Sequence, residues 1–194
     1  MRKFRKIAVV AVSAMTLLSF TACGGKKEST APTIAQPAQG TSIDGTGYTL
    51  TYPDTWMDGK EAASYSSAAA KADLILYSQE GAGDDTFAEN INVVQGDAGK
   101  NAKIDDYIDQ VKKQYQSSSA YNLVEEPQKC SVNGIDAYKL VTEVKQSGVT
   151  YKCKQVCLIA NDKAYVITYS GDVNGGYDGK ESEADSIMAS FKLK

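Results

Sequence analysis

Residues 127–170 read PQKCSVNGIDAYKLVTEVKQSGVTYKCKQVCLIANDKAYVITYS, and this stretch decides the fold. Asn133-Gly134 is the dipeptide favoured in two-residue β-hairpins, because both central residues of a type I′ turn need a positive φ. Ser147-Gly148 and Asp162-Lys163 are weaker signals of the same kind. Two-residue turns at these three places predict a meander of four antiparallel strands.

Alternation along these strands divides the meander into two faces, because successive side chains of a strand point to opposite sides of the sheet. The first face collects Tyr138, Leu140, Val144, Val149, Tyr151, Cys153, Cys157, Ile159 and Val166. The second collects Ala137, Val141, Val156, Leu158, Ala160, Tyr165, Ile167 and Tyr169, together with the charged Lys139, Glu143, Lys145, Lys152 and Lys154. The register places Glu143 opposite Lys152. Because both faces are apolar over part of their area, we expect helical cover on both sides.

Composition and charge limit the class of protein. A chain of 194 residues is long enough for one domain with a hydrophobic core. Without the four basic residues in segment 1–6, 17 basic residues stand against 24 acidic ones, a net charge of −7. Such an acidic domain argues against nucleic acid, and against an anionic membrane surface, as the main partner. The chain has no histidine, which excludes Ser-His-Asp catalysis, Cys-His catalysis and His-ligated zinc.

The first 23 residues have the layout of a bacterial secretion signal. Residues 1–6 are basic, residues 7–20 are apolar, and Phe-Thr-Ala-Cys at 20–23 resembles the lipoprotein consensus, with Phe20 in place of the usual Leu. We predict a signal peptide over 1–22, cleavage after Ala22 and attachment of a diacylglycerol to Cys23. The alternatives are a plain secreted signal and an uncleaved membrane helix, for which the apolar run is short.

The remainder of the chain divides into a tether and a domain. Residues 24–45 are rich in Gly, Ser, Thr, Pro and Gln without an apolar period, so we predict that segment 23–45 is a lipidated Cys followed by a disordered tether. Residues 46–194 form the predicted domain, with Trp56 in its core. Within it the patterns predict strands over 47–52, 73–78 and 90–95, helices over 60–70, 104–115 and 180–190, and loops over 81–89 and 171–179.

Several short motifs occur in a recognisable order. Tyr-x-Leu-x-Tyr-Pro at 48–53 is followed by Asn-Ile-Asn-Val-Val at 90–94, Val-Asn-Gly-Ile-Asp-Ala-Tyr at 132–138, Ala-Tyr-Val-Ile-Thr-Tyr at 164–169 and Ser-Phe-Lys at 190–192. This order resembles the PsbP-like family, named after an extrinsic subunit of photosystem II, and its bacterial lipoprotein relatives. The resemblance implies an α+β fold of the Ran-binding-regulator type, a three-layer α-β-α sandwich around a mainly antiparallel sheet of about six or seven strands. It also implies binding or assembly rather than catalysis, and no catalytic residue carries over.

Three cysteines remain in the domain once Cys23 is set aside. Cys153 and Cys157 share a strand and a face but lie about 13 Å apart at the usual strand rise. Cys130 lies two strands, or about 9–10 Å, from Leu158, and Cys157 beside Leu158 faces the other side of the sheet. Cys130 and Cys157 are therefore too far apart for a disulfide, which needs Cα atoms within about 7 Å. We therefore predict three free thiols that pack as small apolar residues. The C-x-x-x-C spacing leaves a metal or redox role as the alternative.

Acidic loops are the other candidate sites. Asp172, Asn174 and Glu183 match positions one, three and twelve of an EF-hand loop, but Tyr177 replaces the glycine required at position six. Asp84, Asp85 and Glu89 could also hold a hard cation. A surface loop that precedes a helix is the simpler interpretation, so we predict no metal and no cofactor.

These observations predict a lipid-anchored module on the extracytoplasmic side of a bacterial cell membrane. Its partners are membrane lipid, through acylated Cys23, and an envelope protein or peptide, with no nucleic acid and no enzymatic activity. A protein that binds a small ligand or a divalent cation is the alternative, followed by a carboxylate-based hydrolase. An exposed tyrosine-rich patch would favour the first function, clustered loop carboxylates the second, and a pocket with two close acids the third.

Overall fold

The computed structural model describes residues 29–61, 72–79, 87–146 and 149–194. The strands are β1 Thr41–Gly45, β2 Tyr48–Tyr52, β3 Trp56–Asp58, β4 Leu74–Ser78, β5 Asn90–Asp97, β6 Tyr121–Val132, β7 Ile135–Gln146, β8 Val149–Ala160, β9 Lys163–Asp172 and β10 Lys192–Leu193. The helices are α1 Ile104–Gln116 and α2 Gly176–Ala189, with a short 3-10 turn at Gly59–Glu61. Several predictions lie outside the described residues: the signal peptide 1–22, Cys23, most of the helix at 60–70, the acidic residues Asp84 and Asp85, and the Ser147-Gly148 turn.

Two antiparallel sheets form the framework. The larger has seven strands in the order β3-β4-β5-β9-β8-β7-β6, and the smaller has three in the order β1-β2-β10. Helix α1 covers one face of the large sheet, while α2 and the small sheet cover the other. The predicted α+β sandwich around an antiparallel sheet is confirmed.

The meander confirms the predicted faces. Asn133 and Gly134 have φ of 47° and 75°, as a type I′ turn requires, and the β7–β8 register places Glu143 opposite Lys152. The apolar residues predicted for the first face lie with α1 or with Phe87, and those predicted for the second face lie in the core under α2. The side chain of Val149 is outside the described part of the chain.

The third turn differs from the prediction by one residue. We expected Asp162-Lys163 at its centre, but β8 pairs Ala160 with Lys163, so the central residues are Asn161 and Asp162. Their φ values are 52° and 61°, a left-handed conformation that Asn and Asp adopt more readily than Lys. The error shifts each cross-strand partner by two residues, which preserves the alternation, and the predicted faces therefore survive it.

The segment predicted to be a disordered tether is ordered from Ser29 onward. Residues 41–45 form β1, which pairs with β2 along its whole length. Residues 29–40, which we call the N-terminal strap, run beside the end of β6 and then reach α2. The prediction failed because the strap is held mainly by backbone hydrogen bonds, which leave no apolar period in the sequence.

Strand β9 ends later, and the last helix begins earlier, than predicted. Strand β9 continues to Asp172, and α2 starts at Gly176, within the segment that we assigned to a loop over 171–179. Gly175, at the N-cap position, has a φ of 121° that favours glycine, so a turn and a helix start occupy what reads as a Gly-rich loop. Phe191 is fully buried against Tyr48 and Tyr165, as expected for a chain end packed on the sheet.

Candidate functional site

A band of buried polar side chains crosses the face of the large sheet that α1 partly covers. The polar band consists of Asn90 and Asn92 on β5, Thr168 and Ser170 on β9, and Gln155 on β8. Adjacent strands place Asn90 opposite Ser170, Asn92 opposite Thr168, and Thr168 opposite Gln155. All five residues are 1% exposed or less.

One half of the polar band is internally hydrogen-bonded. The buried hydroxyl of Tyr115, on α1, donates to Oε1 of Gln155. Gln155 in turn donates from Nε2 to Oγ1 of Thr168 at 3.3 Å. The Sγ of Cys153 lies 3.4 Å from Oγ of Ser170. These bonds fix α1 to the sheet through a polar contact surrounded by apolar residues.

The other half of the polar band is not satisfied by the residues that the structure describes. Asn90 donates to the carbonyl of Ala88 at 3.1 Å, but its Oδ1 has no partner among them. Neither Oδ1 nor Nδ2 of Asn92 has a hydrogen-bond partner in the described ranges, although the residue is fully buried. A buried amide without partners costs free energy, so its presence in a core strand marks this position as a candidate site.

The polar band offers hydrogen bonds and no charge. Amides and hydroxyls can orient a neutral polar group or an ordered water, but they do not change their protonation state near neutral pH. Burial raises the pKa of Cys153 to about 12, and burial also raises the pKa of Tyr115 well above its usual value. Both groups therefore stay protonated at neutral pH, which suits binding better than nucleophilic or general-base chemistry.

Two lysines of the opposite face form ion pairs with acidic residues of α2. Lys154, nearly buried, binds Glu181 at 2.7 Å and Asp185 at 2.8 Å, while Lys152 lies 3.7 Å from Asp178. Burial lowers the pKa of Lys154, but the hydrogen bonds and charges of its two partners outweigh burial and raise the pKa overall. These contacts fix α2 on the sheet and give Lys152 and Lys154, two of the lysines predicted for this face, their ion-pair partners.

The EF-hand-like residues serve other contacts. Glu183 accepts hydrogen bonds from Nε1 of Trp56 and from Oγ1 of Thr55, both at 2.9 Å, which confirms that Trp56 belongs to the core. Asn174 donates to Oδ1 of Asp172 at 3.1 Å. Within the described ranges, no group of three or more Cys, Asp or Glu residues is arranged to hold a metal ion.

The cysteines and tyrosines are interior residues. Cys130, Cys153 and Cys157 are free and buried, as their strand positions predict. Wherever the structure describes a tyrosine, its side chain is buried or half-buried, so the exposed tyrosine patch that would favour a protein interface is not found there. The exposed large hydrophobic side chain in the described segments is Val124, at 45%, where a bulge in β6 places an extra residue.

The N-terminal strap protects one end of the β6 edge. The amide of Ser29 donates to the carbonyl of Gly134 at 2.9 Å, and the amide of Ser131 donates to the carbonyl of Pro32 at 2.9 Å. Oγ of Ser131 also donates to the carbonyl of Ala31 at 2.9 Å. Farther along, the amide of Ala38 donates to the carbonyl of Ser186 on α2 at 2.8 Å, so the strap joins the sheet to the helix.

The residues of the polar band and the strap were both missed by sequence reasoning. Asn90 and Asn92 alternate with Ile91 and Val93, a pattern that indicates a solvent-facing side rather than a buried one. Of the sequence-predicted cation ligands that the structure describes, which are Glu89, Asp172, Asn174 and Glu183, none belongs to the polar band. In the part of the chain that the structure describes, no helix is both long and apolar enough to cross a membrane.

Solved structures with this fold come from several bacteria. The chain aligns with cyanobacterial PsbP (CyanoP) from Synechocystis at a TM-score of 0.53 and 16% identity, covering 90% of this chain and 98% of that one. It aligns with LpqN of Mycobacterium tuberculosis, described as involved in cell envelope biogenesis, at a TM-score of 0.53 and 14% identity, covering 80% and 91%. A protein from Bacteroides thetaiotaomicron aligns at a TM-score of 0.50 and 14% identity over 81% of this chain, which spans only 49% of the length of that protein.

These structural likenesses establish the fold, and the sequence itself places the chain in a family. No curated protein matches the chain in sequence. The sequence model of PsbP-like proteins matches residues 7–193, almost the entire length. The motifs at 48–53, 132–138 and 164–169 fall within that match and form β2, the β6–β7 hairpin and β9. The chain therefore belongs to the PsbP-like protein family.

Proposed function

We propose that this PsbP-like protein is a lipid-anchored, non-catalytic module of the bacterial envelope that binds a protein or peptide on the extracytoplasmic side. The observation that carries the proposal is the small number of residues between Cys23, at the end of the lipoprotein consensus, and the first residue bonded to the folded domain. Ser29, six residues after Cys23, is already hydrogen-bonded to the β6–β7 turn. An acyl group on Cys23 would therefore hold the folded domain itself, and not merely a long flexible tail, at the membrane.

Two further features support a binding role. The family resemblance implies binding or assembly, and LpqN, which shares the fold, is described as involved in cell envelope biogenesis. Tyr115 and Cys153, two titratable groups that contact the polar band, are protonated and uncharged at neutral pH, which favours recognition over acid–base catalysis.

In-cell crosslinking tests this function. Crosslinked neighbours of the native protein are identified by mass spectrometry and compared with those of the Cys23→Ala variant, which cannot be acylated. We expect an envelope protein to be recovered reproducibly with the native chain and depleted with the variant. Recovery of the same neighbours from both, or of none reproducibly from the native chain, would contradict the proposal.

A second candidate function is the binding of a small neutral ligand at the polar band. The fully buried amide of Asn92, which has no hydrogen-bond partner among the described residues, favours it, since an amide can both donate to and accept from a hydroxyl or amide group of a ligand. A screen of neutral polyols, amides and short peptides by thermal shift tests this function. A ligand of the polar band should raise Tm for the native domain and lose that effect in Asn92→Leu.

A further inference from the structure

We infer that the protein stands on the membrane in one orientation, with the hairpin end of the large sheet toward the lipid. The hairpin end is the end that carries the Asn133-Gly134 and Asn161-Asp162 turns. The inference rests on the lipid anchor of the proposed function and adds what that function leaves open: which surface faces the membrane and which is presented to partners.

Covalent geometry sets the distance. Six residue steps separate Cys23 from Ser29, so the two Cα atoms lie no more than about 20 Å apart in any conformation. The amide of Ser29 lies 2.9 Å from the carbonyl oxygen of Gly134, which brings the β6–β7 turn within the same reach. Strand β7 then runs away from that turn for 12 residues, or about 40 Å.

The strap itself is fixed to the domain at several points. It is bonded at Gly134, at Ser131 and at Ser186, three points on β6, the hairpin turn and α2. Ile34 and Ala38 of the strap also pack against the main hydrophobic core. The strap therefore moves with the domain, and the covalent length of the few residues between Cys23 and Ser29 sets how far the hairpin end can lie from the lipid.

The charge of the hairpin end fits an anionic lipid surface better than the rest of the domain. Its lysines are Lys100, Lys103, Lys129, Lys163, Lys192 and Lys194. Its aspartates are Asp44, Asp73, Asp97, Asp105, Asp106, Asp136 and Asp162. The six lysines and seven aspartates leave this end with a net charge of −1, whereas the chain without its leader carries a net charge of −7. Acidic lipids therefore repel the other, more acidic surfaces of the domain more strongly than the hairpin end. This repulsion turns those surfaces away from the membrane.

The outward end contains the C-terminus of α1, the start of β6 and the start of α2. At this end, far from the hairpin turns, the amide of Lys145 donates a hydrogen bond to the carbonyl of Ala120 at 3.1 Å. The bulged part of β6, with exposed Val124, lies toward the same end. This end is the surface that the orientation presents to an envelope partner.

Energy transfer from two matched cysteine sites tests the orientation. Lys163→Cys introduces an exposed thiol at the hairpin end, and Ser119→Cys introduces one at the outward end. The native thiols should react little with maleimide, because burial raises the pKa of Cys130 to about 11 and the pKa of Cys153 and Cys157 to about 12. The acylated full-length variants are labelled with a maleimide donor and reconstituted into vesicles of neutral and anionic phospholipid that carry a headgroup acceptor.

We expect transfer from position 163 to exceed transfer from position 119 by about twofold or more, given roughly 40 Å between the two ends. A flexible linker of about 20 Gly and Ser residues, inserted between Lys27 and Glu28, should reduce that difference, because it frees the domain to rotate. Equal transfer from the two sites, or stronger transfer from position 119, would overturn the orientation.

Flotation of the same vesicles separates the two levels of the proposal. If the native chain floats and Cys23→Ala does not, the anchor stands, and the transfer ratio then judges the orientation alone. If the native chain fails to float, the anchor and the orientation are both overturned.

Discussion

Replacing Asn92 with leucine should stabilise the domain, although it removes a polar residue from a core strand. Asn92 is fully buried on β5, between Ile75 on β4 and Thr168 on β9, and neither atom of its amide has a hydrogen-bond partner in the part of the chain that the structure describes. Each unsatisfied buried group costs about 1–3 kcal/mol. Replacing Asn92 with leucine removes both unsatisfied groups, but leucine ends in two methyl groups that are larger than the amide oxygen and nitrogen. Overpacking by these methyl groups costs about 1–3 kcal/mol, which offsets part of the gain in stability.

The net effect of Asn92→Leu is a gain of about 2 kcal/mol in the free energy of unfolding. For a domain of this size that gain corresponds to a rise in Tm of about 4–8 °C. Urea unfolding followed by the fluorescence of Trp56, the single tryptophan, measures it directly. Asn92→Val, with a smaller side chain that favours strands, separates overpacking from the loss of the amide.

Gln155→Leu is the matched control in the same polar band. Both ends of the Gln155 amide are hydrogen-bonded, to Tyr115 and to Thr168, so its removal leaves two buried hydroxyls without these partners. We expect a loss of about 2 kcal/mol, opposite in sign to the effect at Asn92. If Asn92→Leu and Asn92→Val both destabilise the domain as Gln155→Leu does, then the Asn92 amide is satisfied in solution and the reasoning about the polar band is refuted.

Three further predictions test other parts of the structure. Although burial acts to raise the pKa of Glu183, the hydrogen bonds from Trp56 and Thr55 lower it below its usual 4.5, so the native chain should exceed Glu183→Gln in stability by about 1 kcal/mol at neutral pH. That difference should shrink as the pH falls below 4.5, where the carboxylate becomes protonated, and a difference that grows in acid would contradict the assignment. Ser131→Ala should cost about 1 kcal/mol in thermal unfolding, because it removes the bond to Ala31, whereas Ser42→Ala at an exposed contact should change stability by less than about 0.5 kcal/mol. Dithionitrobenzoate should titrate three thiols in the unfolded domain without reductant and react slowly with the native one, and rapid native reaction would show an accessible thiolate among Cys130, Cys153 and Cys157.

The meander was predictable because its turns and its alternation agree. Asn133-Gly134 fixes one register, and the apolar residues on both faces require two covering layers, which α1 and α2 with the small sheet provide. The misplacement of the third turn did not matter for the faces, since a two-residue shift in partners preserves the alternation of side chains.

The strap and the polar band could not be predicted, for different physical reasons. The strap is held by backbone groups of residues 29–38, whose bonding does not depend on residue type, and Ile34 is its largest apolar contact. Asn90 and Asn92 have the alternation of a solvated strand, and only the tertiary structure shows that they are buried. Their burial against the pattern is what identifies the site.

In the proposed function, an acylated Cys23 holds the PsbP-like domain at the membrane. Intact-mass spectrometry of the native protein, extracted from the membrane fraction of its own cells, tests this anchor. We expect a chain that starts at Cys23 and carries the added mass of a diacylglycerol thioether. A mature chain without acyl mass, or one that still begins at Met1 with its leader intact, would contradict it.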